Sequence, residues 1–170
     1  MEFTLHSFAL IVHVLAASLW FGGGVFQVLM VGSALMRAGP AALGFMQAVA
    51  KKGGFAPFFA ISGIMAVVSG GYLYYDDEVG QAAFKGSNLW LTVGAIVAVL
   101  ALLEGLFLLR PLNGKWVAAV NSIKGAPTAE QGKTIAELGA RIGKTGARSV
   151  AMISLTMLCM LLWRVGVAFN

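Results

Sequence analysis

Apolar residues run along this chain in four long blocks, and most polar residues gather between them. The blocks cover about 8–35, 55–75, 89–109 and 149–169; the first two carry no formal charge, the third carries Glu104 and the fourth Arg164. A helix needs roughly 20 apolar residues to cross a hydrocarbon core. Lipid offers the backbone no hydrogen-bond partners, so each block is expected to be a helix.

Between the blocks the pattern changes to amphipathic. Leu43, Met46 and Val49 recur at helical spacing ahead of Lys51 and Lys52, which predicts a short interfacial helix. Trp116, Val117, Val120 and Ile123 form a second stripe, interrupted by Gly125 and Pro127. Thr128 and Gln131 then have capping-box spacing, and Ile135, Leu138 and Ile142 resume the stripe. This predicts a helical hairpin over about 113–146. The expected fold class is all-α: a four-helix transmembrane bundle with a cytoplasmic helical hairpin between the third and fourth spans. Residues 1–170 form one integral membrane domain.

Composition agrees. Hydrophobic residues make up 59% and charged residues 11%, against about 45–50% and 25% in soluble domains. An ordinary soluble enzyme is excluded, and no Walker loop, nucleophile triad or HExxH motif is present. The single cysteine, Cys159, excludes an intramolecular disulfide or a Cys-rich metal site.

Charge adds orientation. Lys and Arg number 12 against 7 Asp and Glu, but their placement argues against nucleic acid as a partner. Arg37, Lys51 and Lys52 lie in the first connection, and Arg110, Lys115, Lys124, Lys133, Arg141, Lys144 and Arg148 in the third. The second holds Lys85 beside Asp76, Asp77 and Glu78. The positive-inside rule puts the first and third connections in the cytoplasm and both termini outside, in a bacterial-type inner membrane.

Small residues predict close helix packing: Ser62, Ala66 and Gly70; Ser18 and Gly22; Ala101 and Gly105. The run Gly22-Gly23-Gly24 gives either close packing or room for a flat ligand. Trp90, Trp163, Tyr72, Tyr74 and Tyr75 read as an aromatic belt at the outer interface.

Polar groups within spans are the candidates for chemistry. His6, His13, Trp20 and Gln27 recur every seven residues, so they share one helix face, expected to look into the bundle. His13 is a candidate ligand for haem iron or another metal, or else hydrogen-bonds a neighbouring helix. Arg164 is a candidate counter-charge for an anionic group, or else snorkels to the interface. Glu104 is a proton or ion candidate, and desolvation of a lone carboxyl favours its neutral form. Met157 and Met160 around Cys159 read as packing residues rather than a copper path.

The segment from His13 through Ala16, Ala17, Trp20, Phe21 and Gly22 to Gly23 resembles the first-helix signature of the CopD-like superfamily of four-helix membrane proteins. Ser69-Gly70-Gly71-Tyr72-Leu73 and Asn88-Leu89-Trp90-Leu91-Thr92 resemble parts of that family's second and third helices. The resemblance implies a four-helix bundle binding haem b through His13. Separately, the antiparallel first and fourth helices put Arg164 at about the depth of His13, around a space expected to be bounded by Trp20, Gly23 and the second helix. The resemblance is distant for the HemJ-type oxidases. They carry a lysine where this chain has Thr92-Val93-Gly94, and a later histidine where it has Glu104-Gly105. Three functions follow as expectations: a haem-binding redox or haem-handling protein, a non-enzymatic subunit of a homo-oligomer or larger membrane complex, and a small transporter using Glu104.

Overall fold

A computed structural model of the chain describes residues 4–77 and 79–167. Glu78 and the last residues of the fourth expected span lie outside the described residues. Five helices follow one another: α1 Leu5–Ala38, α2 Leu43–Lys51, α3 Ala56–Asp76, α4 Asn88–Asn121 and α5 Ala129–Arg164. All but α2 are long and apolar enough to cross a membrane.

Local chemistry sets the ends. Thr4 caps α1, its side chain accepting from the Ser7 amide. Thr128 and Gln131 form the expected capping box on α5: the Gln131 amide donates to Thr128 Oγ1 (3.2 Å) and the Thr128 amide to Gln131 Oε1 (2.9 Å). Between α2 and α3 the chain turns through Gly53 and Gly54, at φ 81° and 74°. A Cβ on Gly54 would lie 2.6 Å from Asn113 Nδ2, and Asn113 donates to the Gly53 carbonyl (3.1 Å).

Two of the long helices contain a π turn, Gln27–Gly32 in α1 and Gly105–Leu109 in α4. The second has a visible cause. Pro111 has no N–H to return to Phe107, and the wider turn before it absorbs the break without ending the helix. The third and fourth long helices therefore run on beyond their apolar blocks. The segments expected as a separate hairpin over 113–146 are the continuous ends of α4 and α5, joined through residues 122–128.

α1 packs chiefly on α3, and α4 on α5. Ala16, Trp20, Ala66, Ala101 and Ile153 form the central core. Ala50, Trp116, Val120, Ile123 and Ile135 form a second core, with Leu43, Met46, Leu138 and Ile142 around it. The stripes read from the sequence thus meet each other, and α2 docks onto the helix ends, where Gln47 donates to the Ile123 carbonyl (3.2 Å).

The expected ridges hold in α3 and α4 but not in α1. Ser62 and Ala66 are buried, as is Ala101. Ser18 and Gly22 face outward, because Ala9, Ala16, Trp20 and Gly23 make the contact face instead. The outward faces are apolar: Leu15, Val68, Phe107 and Leu161 are each more than 60% exposed. Such faces suit lipid and not water.

Candidate functional site

The inward face of α1 orders the polar residues. At one end His6 Nδ1 sits 2.7 Å from Asp76 Oδ2 and 3.8 Å from Asp77 Oδ1, tying α1 to the end of α3. Two turns along, His13 Nδ1 lies 2.8 Å from the Ala66 carbonyl. Only the protonated nitrogen can donate there, so Nδ1 carries the hydrogen. The ring lies against Gly70, where a Cβ would come within 2.7 Å of His13 Cε1. Trp20 is buried, its indole 3.1 Å from the position a Cβ would take on Gly63. Gln27 comes next, at the start of the π turn.

Beyond Trp20 the helices part. A cavity of about 450 Å³ opens among all five, lined by Trp20, both π turns, the start of α3 and one face of α5 down to Gly132. That volume falls within the range of roughly 300–1,000 Å³ of ligand pockets. Its walls are apolar except for Gln27, Asn113 and Ser149. On α5 it extends from Ile153 to Gly132, a length of about 30 Å at the helical rise. Gly132, Gly139 and Gly143 make the α5 wall low, and a Cβ on any of the three would meet nothing within 4 Å.

Glu104 lies next to the lining residue Gly105 and is bound by Ser149, which also lines the cavity. Its side chain is 8% exposed, paired with Arg148, and Ser149 Oγ donates to its other oxygen (2.8 Å). The lone carboxyl expected at 104 is therefore not alone: its cation comes from α5, not from its own helix.

Of the residues expected around a cofactor, Trp20 lines this cavity and the other three lie outside it. His13 is held by α3, and neither His13 nor Arg164 lines the cavity. Gly23 is closed off, since a Cβ there would lie 2.8 Å from Phe58 Cε1. Arg164 is exposed in the last turn of α5, where a cation suits the helix dipole. Trp20 alone of the four lines the cavity.

The far end of the bundle is a polar clasp. Tyr74 and Thr92 share a hydrogen bond (2.9 Å), Thr92 donates to the Ala83 carbonyl (2.7 Å), and Trp163 Nε1 donates to Asn88 Oδ1 (3.1 Å). Cys159 is 1% exposed and sits against Gly94 of α4, which makes it a packing residue.

The sequence reading missed the cavity itself. Its signal was present: Gly132, Gly139, Gly143 and Gly146 recur on one face of α5, and no helix gains from glycine in its interior. Comparison with family models, with curated proteins and with solved structures gives no match.

Proposed function

We propose that this chain is a multi-pass inner-membrane protein of bacterial type that binds one apolar, chain-shaped ligand in the cavity below Trp20. The observation that carries this is the cavity's form: elongated along α5 and apolar, bordered by both π turns and a glycine face. π turns inside α-helices occur often at functional sites. The cavity offers shape and apolar contact but no nucleophile with a base beside it, so the reading is one of binding rather than catalysis. The first and third connections face the cytoplasm and both termini face outward. The support is the charge asymmetry between connections.

Thermal unfolding of the detergent-purified chain tests the reading. A stearoyl-chain ligand should raise the midpoint saturably. At a hundredfold excess over Kd, binding adds roughly 2.7 kcal/mol. The double variant Gly139→Leu/Gly143→Leu fills the cavity and should lose the response. No shift in the unsubstituted protein would count against the proposal. A visible absorption band of haem, lost in His13→Ala, would replace it with the haem reading.

A further inference from the structure

Ten of the chain's cations lie at one end of the molecule, and the cavity opens among them. Arg37, Arg110, Lys124, Lys133 and Lys144 each directly follow a residue that lines it, and each is exposed. On a helix the next residue is turned by about 100°, which sets the side chains of Arg37, Arg110, Lys133 and Lys144 on the rim rather than in the floor, while Lys124 stands in the connection between α4 and α5. Among the described residues, Glu137 is the one acid that follows a lining residue in the same way. Glu104 does not offset the rim, because it is committed to Arg148 and Ser149. The opposite end of the cavity is closed by the packed core around Trp20, Ala101 and Ile153.

The walls inside are apolar, and the cations stand along the rim. We infer that the cavity takes an anionic single-chain amphiphile: the chain lies along the glycine face of α5, and the carboxylate or phosphate head stays at the basic rim. This rests on the apolar-chain reading above and specifies its ligand class. Length supports it. One acyl chain spans about half of a hydrocarbon core of about 30 Å, so a cavity about 30 Å long has room for a single chain. Charge supports the head group's side, since cations within a Debye length of the mouth raise the local concentration of anions.

Trp20 and Trp116 both line the cavity, so quenching of their fluorescence by a brominated chain reports occupancy. The full chain in neutral detergent is titrated with dibromostearic acid and, separately, with dibromostearyl alcohol. The acid should quench saturably, at least tenfold more tightly than the alcohol, and the difference should shrink at high salt. Lys133→Gln/Lys144→Gln should weaken the acid severalfold and leave the alcohol unchanged. Gly139→Leu/Gly143→Leu should abolish saturable quenching by both. Leucine is the better helix former at both positions, so loss of binding in a folded variant cannot be blamed on unfolding. Equal affinity for acid and alcohol would overturn the anionic class while leaving the cavity reading intact. No saturable quenching by either would overturn both.

Discussion

Glu104 and Arg148 are unequal partners. The carboxylate side chain is 8% exposed and the guanidinium side chain 61% exposed. Removing the cation strands a buried charge, whereas neutralising the acid leaves an arginine that water can solvate. Arg148→Ala should therefore destabilise the bundle by about 3 kcal/mol, and Glu104→Gln by about 1 kcal/mol, since Ser149 keeps a partner. Equilibrium unfolding of both variants in one detergent checks the order; equal losses would show that the pair is not buried as described. A similar argument applies where His13 meets α3. Gly70→Ala drives a methyl into the imidazole and should cost about 1–3 kcal/mol. His13→Ala loses one bond between helices in lipid, where such bonds average about 0.6 kcal/mol. The seven-residue spacing of His6, His13, Trp20 and Gln27 made their shared face legible in the sequence. It did not reveal the partners. Ala66, Arg148 and Ser149 lie 53, 44 and 45 residues from the groups they bind, and no local pattern records such pairings.

At the level of helices, periodicity was the stronger guide. The stripes through Leu43, Val120 and Ile135 and the capping box at Thr128 are all where the spacing puts them. What periodicity could not show was continuity. The hairpin was expected to stand apart from the third span, yet α4 runs on through Pro111 by widening one turn. The α1 ridge was misplaced for a related reason: Ser18 and Gly22 have the right spacing, but the larger Trp20 face decides which side turns inward. The glycines of α5 raise a separate expectation. Glycine costs a helix interior about 1 kcal/mol relative to alanine, and a methyl on Gly132 meets nothing within 4 Å. Gly132→Ala should therefore raise thermal stability by up to about 1 kcal/mol. A fall would mean that the α5 wall is packed by something the isolated chain does not contain.

Over the whole molecule, charge and shape point the same way. The apolar outer faces suit a bilayer, the cations collect at one end, and the cavity opens there. Cysteines introduced at positions 77 and 133 test the orientation, because the native Cys159 is buried and should stay silent. In intact cells an impermeant maleimide should label position 77 and not 133; the reverse would invert the topology and place the basic mouth outside. Above all, the cavity is proposed to hold a chain. The most direct measurement is the mass of the intact protein, released gently from its native membrane into the gas phase. A bound species of acyl-chain mass is expected at one per protein, absent from Gly139→Leu/Gly143→Leu released in the same way. A bare wild-type mass, or the same adduct on the filled variant, would contradict it.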